Sequence, residues 1–383
     1  MSNLAILAIL VLFALATTLF LVLVLFTSLF TSGTFFKKKN ASGKLRRAHN
    51  NPILPRGNEP WEAEAVINPA AIHDGKRTHV LYRAIGTDGV SRLGYASSSD
   101  GLVFDDRPPY PVFSHKDTRP QAGMRYDPGR YGSGGSWSGV EDPRAVLIED
   151  RVYVTYNAFN GWDSLRVALT SISLSDMQKK IWNFTPPRFL SAVGDRQKNW
   201  ALFPEKINAK FALFHNLNES DDNSRVSVEY IDDLLNFDAT KHHIESVDPH
   251  TVADNPCAWH FRTRSIGPPP IKTPFGWLSL YHAMDPRHPS RYKVGAILHD
   301  TSDPSLIIAR SPLPVLEPEA SYEVTEGVKP GIVYACGATV ADDNLTVYYG
   351  AADTVACAAR TSLSKFVHEL QTHITPRLVP GAL

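Results

Sequence analysis

The stretch GVEDPRAVLIEDRVYVTYNAF (139–159) decides the expected fold. The apolar arm AVLI (145–148) and the Val- and Tyr-rich arm VYVTYNAF (152–159) flank the polar run 149–151, which is typical of two strands joined by a short turn. A Gly/Ser-rich approach, YGSGGSWS (131–138), leads into this hairpin. Loop ends that feed a strand commonly carry the chemistry of sheet proteins, so we expect functional residues here.

Two adjacent carboxylates stand at that loop end. In an extended strand Glu141 and Asp142 point to opposite faces, so at most one of them faces a given pocket. Pro143 favours an extended backbone at Asp142, and Arg144 shares the face of Asp142, where it is placed to orient or ionise the carboxyl. The alternative is an Asp-Pro turn that opens an edge strand, with Arg144 in a surface ion pair.

Short alternating segments rich in Val, Ile, Tyr, Trp and Phe continue from residue 51 onward, and Gly, Pro, Asp and Asn separate them. Helical periodicity is almost absent there. Many short strands with regular turn signals predict an all-β sandwich, barrel or propeller. The hairpins recur about every 65 residues, which predicts a five-bladed β-propeller of four-stranded blades. A two-domain β-sandwich is the structural alternative.

Composition excludes several classes of protein. The formal net charge is zero, so no overall positive field favours nucleic acid. The three cysteines, Cys257, Cys336 and Cys357, have no metal-ligand spacing, which argues against a zinc site and against a disulfide framework. A reducing compartment fits this cysteine content best.

The N-terminus has a strong membrane signal. Residues 4–30 are nearly all apolar, which is enough for a transmembrane helix preceding the propeller and contacting the lipid bilayer. A secretory signal peptide is the main alternative. A basic run, 37–47, follows and predicts a cytoplasmic catalytic domain by the positive-inside rule, unless it is only a solvated linker. The expected division is an anchor (1–36), a basic linker (37–50), the propeller (51–368) and a tail (369–383).

Polar residues at predicted strand ends have no obvious packing purpose. In a propeller the strand ends of all blades meet at one axial funnel, so side chains that are far apart in sequence form one site. Aromatic walls are expected from Trp200, Trp277, Tyr281 and Tyr292. A mixture of carboxylate, cations and aromatic rings suits a sugar together with an anion.

Six runs in order give a more specific indication. They strongly resemble glycoside hydrolase family 130, the family of β-mannoside phosphorylases and related β-mannosidases built on a five-bladed β-propeller. The likeness covers about residues 50–368. The matching runs are NPILPRGNEPWEAEAVINPAAI (51–72), GVEDPRAV (139–146), KNWALFPEKINAKFALFH (198–215), GPPPIKTPFGWLSLYHAMD (267–285), DPSLIIARSPLPVLEPE (303–319) and GATVADDNLTVYYGAADT (337–354).

The resemblance implies roles for individual residues. Asp142 matches the catalytic acid, which protonates the glycosidic oxygen through the mannosyl 3-hydroxyl. The residues that match those binding the mannosyl unit are Asn68, Arg83 and Asp353. The residues that match the phosphate pocket are Lys198 (usually Arg), Asn199, Arg264 (often Lys), His282 and Tyr292. A further family Arg is Asn216 here, which removes one positive charge from a dianion site.

The expected reaction is an inverting phosphorolysis of a β-mannosidic bond that yields α-mannose 1-phosphate. Inorganic phosphate is the co-substrate, and no metal or organic cofactor is expected. An inverting β-mannosidase is the first alternative, and it needs a second carboxylate as base, for which Glu205, Glu229 and Asp285 are candidates. The second alternative is a non-catalytic sugar-binding propeller. The sequence leaves the linkage, the acceptor sugar and the oligomeric state open.

Overall fold

The computed structural model describes residues 45–115, 121–220, 223–234, 237, 259, 262–285 and 287–372. These residues belong to a compact unit that begins at Ser42. The strands of its first half are β1 (Arg46–Arg47), β2 (Ala65–His73), β3 (Thr78–Ile85), β4 (Val90–Ser98), β5 (Ser138–Ile148), β6 (Arg151–Phe159), β7 (Arg166–Ser173), β8 (Arg188–Phe189) and β9 (Ala201–Leu202).

The second half is built in the same way. Its strands are β10 (Phe211–Ser220), β11 (Asn223–Ile231), β12 (Arg262–Ile266), β13 (Ile271–Thr273), β14 (Gly276–Asp285), β15 (His288–His299), β16 (Ile307–Arg310), β17 (Val333–Ala341), β18 (Asn344–Ala351) and β19 (Val355–Ser362). The described helices are short: α1 (Leu174–Lys179), α2 (Ser321–Val324), α3 (Leu363–Gln371) and single 3₁₀ turns at Pro60–Glu62 and Trp162–Ser164.

The strands pair into five antiparallel units, which we call blades. They are blade 1 (β2–β4), blade 2 (β5–β8), blade 3 (β9–β11), blade 4 (β12–β16) and blade 5 (β17–β19, with β1 at its outer edge). Blades 1 and 2 are joined by a short parallel contact, in which Val90 pairs with Ser138 and Ser91 with Gly139. The prediction of a mostly-β chain is confirmed.

Five apolar cores lie between successive blades. A representative pair from each core is Leu81 with Val154 (blades 1 and 2), Val146 with Leu213 (2 and 3), Phe214 with Trp277 (3 and 4), Val294 with Val347 (4 and 5) and Tyr348 with Val80 (5 and 1). The fifth core returns to the first blade. This closed series matches the predicted propeller, whereas a two-domain sandwich would bury one core per domain.

The N-terminal strand closes the ring. Residues Arg46 and Arg47, which the sequence analysis placed in a basic linker, pair with β19 as the outermost strand of blade 5. The Arg47 guanidinium donates to both carboxylate oxygens of the fully buried Glu323, at 2.8 and 2.6 Å. The basic run therefore contributes part of the fold.

The prediction of a membrane-anchored chain is corrected here. The expected transmembrane helix over residues 4–30 lies outside the described residues, and no helix among those described is long and apolar enough to cross a membrane. The longest, α3, has nine residues and extends about 14 Å, against the ~30 Å hydrocarbon core of a bilayer. The bilayer contact is not retained, and neither is the cytoplasmic placement, which was deduced from the basic run flanking that anchor.

Candidate active site

In four of the five blades, the ladder between the first strand and its neighbour is interrupted at a corresponding position. The ladder shifts register between Ile67 and Ala70 in β2, between Glu141 and Arg144 in β5, between Thr263 and Ser265 in β12, and between Ala335 and Gly337 in β17. Such β-bulges re-aim side chains and are frequent near active sites. The bulges hold Asn68, Asp142, Arg264 and Cys336, the first three of which are predicted site residues.

Four predicted site residues have left-handed backbone angles. The φ values are 50° for Asn68, 48° for Asp142, 61° for Asn199 and 50° for Asp353. Asn and Asp tolerate this region better than other side chains do, although each such residue costs about 1–3 kcal/mol. The expectation that Pro143 keeps Asp142 extended is wrong, because the bulge imposes a positive φ.

Asp142 lies at the centre of the site and is largely buried. Its Oδ1 accepts from Asn68 Nδ2 at 2.7 Å and from Arg83 Nη1 at 3.1 Å. Burial on its own would raise the pKa of Asp142, but the charges of Arg83 and Lys198 and the Asn68 hydrogen bond outweigh burial and lower it. The side chain is therefore a carboxylate at neutral pH.

Glu141 faces the same guanidinium as Asp142. Arg83 Nη2 donates to Glu141 Oε1 at 2.8 Å, and the hydroxyls of Ser133 and Ser136 donate to the Glu141 carboxylate at 2.6 and 2.8 Å. The predicted alternation of the two carboxylates fails because the left-handed turn at Asp142 interrupts it. The Gly/Ser-rich approach supplies these hydroxyls, a role that the sequence analysis missed.

Arg144 links three blades from beneath Asp142. Its guanidinium donates to the Asp142 backbone carbonyl at 2.9 Å, to Asn199 Oδ1 at 3.3 Å, and to the carbonyls of Ile266 and Gly267 at 3.1 and 2.8 Å. The side chain is fully buried, so the surface ion pair considered for it is excluded. Arg144 holds the Asp142 backbone, whereas the carboxylate itself is bound by Asn68 and Arg83.

Two further cations approach from blades 3 and 4. Lys198 Nζ lies 4.7 Å from the centre of the Trp162 ring, and the Arg264 guanidinium lies 5.7 Å from the centre of the Tyr292 ring. Burial lowers the pKa of Lys198, and the nearby charges of Arg264 and Arg83 lower it further, while Glu141 and Asp142 oppose this. An anion placed among these cations would relieve their repulsion.

His282 lies behind the site and is neutral. Burial and the Arg144 charge lower its pKa to about 3. Its Nε2 accepts from the Ala335 backbone N–H at 2.9 Å, which leaves a proton on Nδ1 to donate to Ser265 Oγ at 2.9 Å. The ring stacks on Tyr334 with centroids 3.9 Å apart. His282 therefore supports Tyr334 and presents no charge of its own.

Asp353 is linked through Lys329 to the loop that precedes blade 2. Lys329 Nζ lies 3.3 Å from Asp353 Oδ2 and also donates to the Gly132 carbonyl at 2.9 Å. Lys329 belongs to no motif, and no signal in the sequence points to it. The structure thus brings Asn68 and Arg83 into direct contact with Asp142, while Asn199 is linked to it through Arg144 and Lys198 acts on it through its charge. The Asn216 side chain lies outside the described residues, and no group of described residues is arranged to hold a metal.

Comparison with known proteins identifies the family of this chain. The family model for glycoside hydrolase family 130, described as beta-1,4-mannooligosaccharide phosphorylase, matches residues 44–371. Two proteins of Thermoanaerobacter sp. (strain X514) are each 36% identical to this chain: a 1,2-beta-oligomannan phosphorylase, over 82% of this chain and 95% of its own, and a beta-1,2-mannobiose phosphorylase, over 81% and 95%.

Solved structures show the same fold. The beta-1,2-mannobiose phosphorylase of Listeria innocua, solved with beta-1,2-mannobiose, aligns with a TM-score of 0.65 and 22% identity, covering 86% of this chain and 99% of the other. Together with this shared fold, the family match over residues 44–371 leads to one conclusion: this chain belongs to glycoside hydrolase family 130.

Proposed function

We propose that this enzyme, a member of the β-mannoside phosphorylase family, phosphorolyses β-1,2-mannosidic bonds in manno-oligosaccharides and releases α-mannose 1-phosphate. The observation that carries the proposal is the charge arrangement around one buried acid. Asp142 lies among four cationic side chains, Arg83, Arg144, Lys198 and Arg264. The other carboxylates of that group are Glu141 and Asp353, and Asp353 has a further cation, Lys329, as its own partner. The excess of positive charge favours a dianion as co-substrate. The β-1,2 linkage is supported by the named activities of both 36%-identical relatives.

The mannosyl unit is bound on the side of blades 1 and 5. Asn68 is buried, and its Oδ1 accepts no hydrogen bond from the described residues, although Nδ2 binds Asp142. A buried acceptor without a donor is costly, so a sugar hydroxyl is a suitable partner. Arg83 and Asp353 complete this side, with Arg83 fixed by Ser91 Oγ at 2.9 Å and by the Ser133 carbonyl at 2.7 Å.

Phosphate binds on the side of blades 3 and 4. Lys198 and Arg264 supply charge, and Tyr292 supplies a hydroxyl and a ring beneath Arg264. Asn199 Oδ1 is occupied by Arg144 and Asn157, which orients the Nδ2 amide as the remaining donor. His282 acts through Tyr334 as a positioning residue. No metal or organic cofactor takes part in this proposal, because phosphate is itself the nucleophile.

The reaction is a single displacement. A phosphate oxygen forms a bond to the anomeric carbon as the bond from that carbon to the glycosidic oxygen breaks. The proton of Asp142 passes through the mannosyl 3-hydroxyl to the leaving oxygen. Attack from the opposite face inverts the configuration, so the β-mannoside gives α-mannose 1-phosphate. Asp142 must be protonated for this step, and the negative charge of bound phosphate offsets the cations that lower its pKa.

Hydrolysis would require a carboxylate free to activate water. Glu141 is bound by Arg83 and two serine hydroxyls, and Asp353 is paired with Lys329. Glu205, a base candidate from the sequence, pairs with Lys272 with 45% of its side chain exposed. These pairings favour phosphate over water. The Asp285 side chain lies outside the described residues.

The test is incubation with β-1,2- and β-1,4-mannobiose, with and without phosphate. We expect mannose 1-phosphate only with phosphate, and faster from the β-1,2 disaccharide. Free mannose released at the same rate with and without phosphate would establish hydrolysis instead.

Arg264→Ala sharpens this test. Removing one charge-assisted contact of roughly 1.5–3 kcal/mol should raise the KM for phosphate by about 10–100-fold. The matched control is Arg188→Ala, which removes an exposed arginine from β8 and should leave the KM for phosphate unchanged. An unchanged phosphate KM in Arg264→Ala would remove Arg264 from the phosphate site.

A further inference from the structure

An aromatic pocket lies beside the acid site on the rim of blade 2. Its volume is about 310 Å³, near the lower end of the ~300–1,000 Å³ typical of ligand sites. Two segments form it: the loop before β5, with Arg130, Tyr131 and Gly132, and the turn after β6, with Phe159 and Trp162. The roles assigned above do not use it.

Trp162 presents the main apolar face. The residue is 44% exposed, and its ring stands edge-on to Phe159 with centroids 5.5 Å apart. Across the pocket, the Arg130 guanidinium lies 5.4 Å from the centre of the Tyr131 ring. Aromatic faces beside a few polar groups are well suited to a sugar, which has both an apolar ring face and hydroxyls.

Two connections place this pocket next to the acid site. On one side, Lys198 stacks on Trp162 while its charge acts on Asp142. On the other, Gly132 lies against Trp162, and its carbonyl accepts from Lys329, the partner of Asp353. The pocket and the acid site are thus separated by single side chains and a glycine-rich loop.

We propose that this pocket is an outer sugar subsite, which binds a mannosyl unit remote from the bond being broken. The inference rests on the proposed function and extends it to substrate length. An enzyme with such a subsite acts on oligomannans better than on mannobiose, because the outer contact adds binding that a disaccharide cannot reach. One 36%-identical relative is named for oligomannan and the other for mannobiose, so the names do not decide which substrate length this enzyme prefers.

The test compares β-1,2-mannobiose with β-1,2-mannotetraose at saturating phosphate. Trp162→Ala should lower kcat/KM for the tetrasaccharide by roughly 3–10-fold, the effect of losing one aromatic contact. Arg130 stacks on Tyr131, whereas Trp162 stacks on Lys198, and Arg130→Ala should lower kcat/KM for the tetrasaccharide in the same direction. Both variants should stay within about twofold of the original enzyme on mannobiose.

Phe275→Ala is the control, because Phe275 is 52% exposed in the turn before β14. This variant should leave kcat/KM unchanged for both substrates. An equal loss on both substrates in Trp162→Ala, with no effect of Arg130→Ala, would mean that Trp162 only supports Lys198, and would overturn the subsite. No loss in either variant would overturn it as well.

Failure of the proposed function gives a different result. In that case the original enzyme phosphorolyses neither sugar, and calorimetry with mannotetraose alone becomes the test of the pocket. Weaker binding to Trp162→Ala than to the original protein then supports the subsite, and equal binding overturns it.

Discussion

At the scale of single residues, Asp142 combines a strained backbone with a strongly held carboxylate. Its φ is 48°, its carbonyl is bound by Arg144, and its Oδ1 by Asn68 and Arg83. The residue is therefore fixed at both ends before any substrate arrives. Such preorganisation is what a general acid requires.

Asp142→Asn should leave the fold and sugar binding intact, because Asn also tolerates a positive φ and keeps the side-chain shape. Turnover should fall by at least the ~10²–10⁴ that general acid catalysis contributes. Phosphorolysis rates and mannobiose binding by calorimetry measure the two effects separately. A folded variant with near-normal turnover would remove Asp142 from the mechanism.

The protonation of Asp142 should depend on phosphate. In the free enzyme Arg83 and Lys198 outweigh burial and lower its pKa, so the acid form is lost as pH rises through that lowered pKa. Bound phosphate should raise the pKa again. We expect kcat to decline at higher pH than kcat/KM for phosphate does, with kcat/KM expressed per phosphate dianion, because only kcat reports the phosphate-bound enzyme. Coincident pH profiles would contradict this coupling.

At the scale of elements, the sequence predicted the strands but not the bulges. The strand-forming residues on either side of the polar turn 149–151 predict the hairpin over 139–159. A bulge adds one residue and leaves that composition unchanged on either side. The predicted opposite orientation of Glu141 and Asp142 failed for this reason. Resemblance to a family supplied the candidate residues, while local spacing supplied neither the Arg144 contacts nor Lys329.

The contact between β4 and β5 depends on a glycine. Gly139 has a φ of 124°, and a Cβ there would lie 2.1 Å from the Ser91 carbonyl oxygen. Gly139→Ala should therefore lower the free energy of unfolding by roughly 2–6 kcal/mol, from strain and overpacking together. Denaturant unfolding measures the loss.

Gly75→Ala is the matched control for that substitution. Gly75 has a φ of 92°, but no atom of the described residues lies within 4 Å of a Cβ added there. Only the backbone strain applies, so we expect a loss of about 1–2 kcal/mol. Equal losses in the two variants would show that the approach to Ser91 adds no cost.

At the scale of the whole molecule, the ring is closed by the pairing of β1 with β19. The recurrence of hairpins predicted five blades, but it did not predict that β1 completes the fifth. Arg46 and Arg47 lie in a run of positive charge, which is also typical of a membrane flank. Charge alone does not distinguish a flank from a buried ion pair, because the partner Glu323 is remote in sequence.

Arg47→Ala should destabilise the protein by about 3–5 kcal/mol, because it leaves the buried Glu323 carboxylate without its cation. The control is Lys210→Ala, which breaks the pair with Asp232, where 48% and 81% of the two side chains are exposed. That loss should be below about 1 kcal/mol. Similar effects of both substitutions on denaturant unfolding would contradict a structural role for Arg47.

The closing strand also constrains the order of folding. Arg47 and Glu323 are separated by 276 positions, and Arg46 pairs with Arg360. During synthesis the first of these residues leaves the ribosome long before its partner exists. Blades 1 to 4 each pair within themselves and can form as they emerge, but blade 5 cannot be completed until almost the whole chain is made. In the nascent protein β1 therefore stays unpaired until elongation is almost complete, and unpaired strands are vulnerable to mispairing with other chains.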